Sequence, residues 1–157
     1  VTPADPTLEP SGPKPVLRLL AAMDDEIARV YAERGMGHVR PRFVLPLLRL
    51  HHAGPMTVRA LATAVDVTHS AMSQTVAALR TAGLVVSSPG ADARTRTVDL
   101  TDAARDVVDF LDAEWRATEA AWDELQAEIA HPLQQTVDEM HAALAREPFG
   151  DRIARRL

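Results

Sequence analysis

Between Thr68 and Ala82 the apolar residues Met72, Val76 and Leu79 recur at steps of four and three, which puts them on one stripe of a helix. The opposite face is short and polar: His69, Ser70, Ser73, Gln74 and Arg80. Thr68 suits the N-cap, because its hydroxyl can accept a free N–H of the first turn, and Gly83 supplies the left-handed position that ends a helix. Two β-prone runs follow, Leu84-Val85-Val86 and Thr97-Val98-Asp99-Leu100, on either side of the turn signal Pro89-Gly90-Ala91-Asp92. The spacing therefore predicts a helix and then a two-stranded hairpin, the layout of a winged helix.

The same reading extends in both directions. Val16, Leu19, Leu20, Met23, Ile27, Val30 and Tyr31 predict a first helix from about Val16 to Glu33, stopped by Gly35 and Gly37. A second runs from Arg40 to His52 around Leu47, Leu48 and Leu50, with Gly54-Pro55 closing it. Pro46 conflicts with that helix, since an internal proline removes a hydrogen bond and clashes one turn back; the helix either starts late or kinks there. Thr57 caps a short helix, Val58 to Ala64, and Asp66 stands at the sharp turn into Thr68, where glycine is the easy choice and Asp is tolerated. After the hairpin, Thr101 and Asp102 open a long helix whose seam reads Ala104, Val108, Leu111, Trp115, Thr118, Trp122, Leu125 and Ile129. Pro132 fits the first turn of a last helix that carries Leu133, Val137, Met140 and Leu144. Such a seam must be covered; the N-terminal helix offers one partner and a second subunit completes the cover.

The expected fold class is mainly α: a winged helix-turn-helix with a two- or three-stranded β-wing and an intertwined helical dimerisation region. The expected organisation is a disordered Pro-rich tail over 1–15, N-terminal dimerisation and support helices over 16–55, the winged helix over 56–100, and dimerisation helices over 101–157. With five prolines and little that is apolar, the tail cannot bury enough surface to order itself. At 157 residues the chain is one domain by length, without an apolar run long enough to span a membrane and without a secretory signal. Zero cysteines exclude disulfides and thiolate metal sites, which fits a cytoplasmic protein.

Charge at first argues against nucleic acid, because the net value is −5. Its distribution changes the picture. Residues 1–56 carry seven basic and six acidic groups, residues 57–100 four and three, and residues 101–157 six and thirteen. The acidic excess lies in the C-terminal helices, leaving a mildly basic module whose grip on DNA would be modest and salt-sensitive.

The run Leu61-Ala62-Thr63-Ala64-Val65-Asp66-Val67-Thr68-His69-Ser70-Ala71-Met72-Ser73-Gln74, followed by Leu79-Arg80-Thr81-Ala82-Gly83-Leu84-Val85, resembles the helix-turn-helix of MarR-family transcriptional regulators. Asp92-Ala93-Arg94, then Val98-Asp99-Leu100-Thr101, is similar to that family's wing signature, D-x-R followed by an L-T that opens the next helix. The resemblance spans about residues 16–146. Three features depart from the pattern: Asp66 in place of glycine, Pro46 in the second helix, and the first 15 residues. The resemblance implies a homodimer with interlocked first and last helices, reading helices in successive major grooves of double-stranded DNA and wing tips in the flanking minor grooves. A two-fold dimer would then read a pseudo-palindromic operator.

Expected DNA contacts follow from the docking that the resemblance implies, together with residue chemistry. Ser70, Ser73 and Gln74 face base edges, Gln74 being suited to adenine; Thr68 and His69 meet phosphate or base; Arg94 enters the minor groove with Asp92 bracing the wing; and Arg96 meets the backbone. Arg80 is either a further contact or a surface ion pair, and Asp92 either a brace or only a turn cap. The resemblance also implies an effector site between the DNA module and the dimer helices. Its lining would include Tyr31, Met36, His38, Arg42, Phe43 and Trp115, holding an anionic aromatic compound with Arg42 or His38 as anchor. The competing reading makes Tyr31, Phe43 and Trp115 plain core. No cofactor and no metal are expected: His51 and His52 are adjacent and point about 100° apart on a helix, and His38, His69, His131 and His141 are scattered. No nucleophile–base pairing, Gly-rich phosphate loop or carboxylate pair in a turn is present, so an enzyme is not expected. The expected function is a repressor released by a small ligand; the alternative is a winged-helix protein-interaction module without DNA binding, which the net acidity and the single lysine favour.

Overall fold

The computed structural model describes residue 5, residues 12–89 and residues 96–157. Among the described residues, seven helices and two strands follow in the order α1 (Lys14–Glu33), α2 (Pro41–Ala53), α3 (Val58–Ala64), α4 (His69–Thr81), β1 (Val85–Pro89), β2 (Arg96–Leu100), α5 (Asp102–Glu128), α6 (Leu133–Arg146) and α7 (Phe149–Ala154). The chain divides into two compact units, residues 1–112 and 113–157. None of the helices among the described residues is long and apolar enough to cross a membrane.

The first unit is organised around α2, which packs against α1, α3, α4 and β2. Phe43, Val44, Pro46, Leu47, Leu48 and Leu50 are all buried on it, so the apolar surface of this helix is broader than the three leucines alone suggest. It does not start late. Pro41 occupies the first helical turn, where a missing N–H does no harm, and the helix continues through Pro46. Pro46 has no N–H to give the carbonyl of Arg42 one turn back, and the burial of its ring among the core residues offsets that loss. Around α2 the core is completed by Tyr31, Leu61, Met72, Leu79, Leu84, Val98, Leu100, Val108 and Leu111.

The wing is an antiparallel pair with Val85 opposite Leu100, Ser87 opposite Val98 and Pro89 opposite Arg96. Val85, Val98 and Leu100 turn inward and Val86 outward, the alternation expected of a half-buried ribbon. A third strand exists only as a single bridge: Met56 and Val98 exchange N–H···O bonds of 3.1 and 2.7 Å. Strand β1 begins one residue later than its apolar run, because Leu84 closes the end of α4 instead.

In the second unit no residue is buried. Trp115, Thr118 and Trp122 of the seam are half-buried, whereas Leu125 (39% exposed), Ile129 (43%) and Met140 (60%) face outward. Gln126 accepts the Leu133 N–H and so joins the end of α5 to the start of α6. Helix α7 was not expected from the pattern. It is tied back through Arg152, whose guanidinium donates to the carbonyls of Glu147 and Ala143 at 3.0 and 3.1 Å and thereby satisfies the last turn of α6.

Candidate nucleic-acid interface

Two helix ends built alike set the direction of α4. At the end of α3, Asp66 N–H donates to Thr63 and Val67 N–H to Ala62; at the end of α4, Gly83 N–H donates to Arg80 and Leu84 N–H to Leu79. Both are the reciprocal closure that needs one left-handed residue, and the two residues are Asp66 (φ 53°) and Gly83 (φ 72°). Asp66 thus fills the position read for it in the sequence. The starts are equally local: the Thr57 hydroxyl accepts Ala60 N–H at 3.1 Å and the Thr68 hydroxyl accepts Ala71 N–H at 3.2 Å.

Held in this way, α4 buries Met72 and Leu79 and presents His69, Ser70, Gln74 and Arg80 to the outside, with Ser73 and Val76 half-buried. Ser73, Arg80 and Arg96 line one groove of about 270 Å³ between α4 and the wing, together with Val58, Val76, Val85, Val86 and Val98. Arg96 is not a loose surface chain. Its Nε donates to Ser87 Oγ at 3.1 Å and its Nη2 to the Ser87 carbonyl at 3.2 Å, which fixes the guanidinium across the ribbon. Arg80 makes no ion pair, so the surface-pair alternative for it has no partner among the described residues. Asp92 and Arg94 lie outside the described residues.

Five of the six residues considered for an effector lie in the first unit, on more than one surface of it. Tyr31 (1% exposed) and Met36 are buried, and the Tyr31 ring meets Phe110 edge-on at 6.4 Å. His38 and Phe43 share an open groove of about 410 Å³ with Arg40, Ala78, Thr81 and Ala82. Arg42 lies on a different groove of about 230 Å³, beside Pro46, Val65, Val67, Ala71 and Thr75. Trp115 belongs to the second unit. Within the first unit, His38 and Arg42, the alternative anchors, line two different grooves.

Histidine chemistry is sparse. The rings of His51 and His52 stack edge-on at 4.8 Å, and His52 Nε2 lies 3.1 Å from Asp112 Oδ1, joining α2 to α5. Among the described residues no three His, Asp or Glu side chains converge as metal ligands would.

Thr101, read from the sequence only as a cap, and Arg105, which the sequence reading did not single out, connect the interface to α5. The Thr101 hydroxyl does more than cap, since it also donates to the Gly83 carbonyl at 2.7 Å. Arg105 Nη2 reaches Asp99 Oδ1 and the Leu100 carbonyl, each at 3.3 Å. The Gly83 partner lies eighteen residues away in sequence, and no local pattern signals it.

Residues 47–95, from the second half of α2 through β1 and beyond, match the MarR family. The chain carries a MarR-family winged helix. Solved structures agree over a much larger share of its length. A MarR protein from Peptoclostridium difficile superposes with a TM-score of 0.58 at 18% identity, over 92% of this chain and 94% of that one. The transcriptional regulator MosR of M. tuberculosis, solved in complex with DNA, gives 0.59 at 20% identity, over 88% and 97%. The MepR–DNA complex of S. aureus gives 0.62 at 15% identity, over 88% and 98%. At such identities the likeness is one of fold, and it extends from the MarR-family module to the helices on both sides of it. No curated protein matches the chain in sequence.

Proposed function

We propose that this protein is a cytoplasmic, homodimeric transcriptional regulator that binds a pseudo-palindromic operator and represses by occluding a promoter. The observation that carries the reading is the face made by α4 and the wing. Outward-facing His69, Ser70 and Gln74 are set beside Ser73, Arg80 and a braced Arg96, on a MarR-family module whose two helix ends fix its direction. Ser70, Ser73 and Gln74 read base edges; Thr68, His69 and Arg80 contact phosphate or base; Arg96 holds the backbone, and Arg94, braced by Asp92, enters the minor groove. MosR and MepR, which share the fold, were each solved with DNA.

Pairing of two chains is supported by what the second unit lacks. It has no interior of its own, and its seam leaves Leu125, Ile129, Met140, Leu144 and Phe149 uncovered, as α1 leaves Leu17 and Leu19. A second copy supplies the cover and puts two reading helices about one DNA turn apart. In this reading residues 16–55 and 101–157 serve dimerisation and residues 56–100 bind DNA. An anionic aromatic effector that releases the operator would occupy the groove at His38 and Phe43, which Arg40 also lines. The protein has no catalytic role in this reading.

Selection of bound fragments from the source genome, with Arg94→Ala as control, tests the proposal. Enrichment of a pseudo-palindrome near a promoter, lost in the variant and weakened by salt, is the expected result. No enrichment by a folded dimer at low salt would sink the DNA reading in favour of a protein-interaction module.

A further inference from the structure

The first turn of α5 touches both halves of the candidate interface. Thr101 Oγ1 accepts the Ala104 N–H at 3.2 Å, which is the ordinary work of an N-cap, and donates its own proton to the Gly83 carbonyl at 2.7 Å. The Thr101 backbone N–H adds a bond of 3.1 Å to the Leu84 carbonyl. Gly83 and Leu84 are the residues whose N–H groups close α4. One helical turn later Arg105 holds β2 through Asp99 and the Leu100 carbonyl, while the same Asp99 oxygen accepts Leu100 N–H at 2.7 Å.

A cap needs only an acceptor. Ionised Asp would cap as well, yet it has no proton to give a carbonyl. The donor half of the Thr101 hydroxyl is therefore surplus to starting α5, and it is spent on the end of the reading helix. We propose that Thr101, assisted by Arg105, is a positioning residue that makes the direction of α4 follow that of α5, and so sets the half-site spacing the dimer accepts. This rests on the DNA-binding reading above.

The chemistry separates the two roles. Thr101→Ser keeps cap and donor, Thr101→Asp keeps the cap and removes the donor, and Thr101→Val removes both. The probe is a duplex that the full-length wild-type dimer selects from a random-sequence pool, together with versions carrying one base pair more or fewer between the half-sites. Binding is followed by fluorescence anisotropy, and folding by circular dichroism. Wild type and Thr101→Ser should favour the selected spacing alike. Thr101→Asp and Thr101→Val should lose about threefold to tenfold of that preference, as expected for the loss of one hydrogen bond. If both variants fail to fold, Arg105→Gln, which removes only the exposed second tether, is expected to flatten the spacing preference in the same direction. A folded Thr101→Asp, or failing that Arg105→Gln, with the wild-type spacing ratio would overturn the proposal while leaving DNA binding intact. A wild-type dimer that selects no sequence would overturn the DNA reading and this proposal with it.

Discussion

Asp66 holds a left-handed backbone position at φ 53° in the turn between α3 and α4, and its carboxylate has no hydrogen-bond or ion-pair partner among the described residues. A residue with a Cβ in that region costs about 1–2 kcal/mol. Asp usually offsets part of this through local hydrogen bonding of its side chain, and here no such bond is made. Asp66→Gly removes the strain and loses about 0.4–1 kcal/mol through the greater freedom of the unfolded chain. The balance is a gain of roughly 0.5–1 kcal/mol, or about 2–4 °C in melting midpoint for each kcal/mol at this chain length. Asp66→Val should move the midpoint the other way, because a β-branched residue tolerates this region worst. Differential scanning calorimetry at one fixed protein concentration is the assay, since the proposed pairing would make the midpoint concentration-dependent. A clear fall in midpoint for Asp66→Gly would refute the reasoning and show that the carboxylate contributes something its geometry does not reveal.

Four further outcomes are expected. Arg96→Ala should weaken binding evenly across sequences and reduce the salt slope by about one, whereas Gln74→Ala should cost about 1–3 kcal/mol at one operator position and relax specificity there; anisotropy titrations at several salt concentrations separate the two. Ile129→Glu, which places a charge on the uncovered seam, should shift the protein from dimer to monomer in light scattering, and an unchanged mass would count against pairing through that face. Leu47→Ala, at a fully buried position of α2, should lower stability by about 2–5 kcal/mol in urea denaturation, with a value under about 1 kcal/mol indicating a core that collapses around the gap.

What could be read from the chain was what is decided within a few residues. The caps at Thr57 and Thr68, the left-handed turns at Asp66 and Gly83 and the stripe of α4 depend on neighbours, and each is where its local chemistry puts it. Of the two outcomes open at Pro46, the late start does not occur; propensity weighs a lost hydrogen bond and cannot see the packing that surrounds the ring. Helix α7 depends on an arginine reaching back nine residues to the Ala143 carbonyl, and the third strand of the wing shrinks to Met56 because only one residue pair meets in register. The residues expected to line an effector site rest on the resemblance, and local packing sets the face each one takes: Arg42 and Phe43 are adjacent in sequence and line different grooves.

The bare seam of the second unit has a consequence for how much active protein exists at all. Where folding and association are one event, the population competent to bind is set by mass action, and a tenfold dilution lowers the apparent stability of a dimer by about 1.4 kcal/mol. Fewer copies would then mean a smaller fraction of each copy's activity, so that promoter occupancy falls off more steeply than chain number. A regulator built this way reads its own abundance.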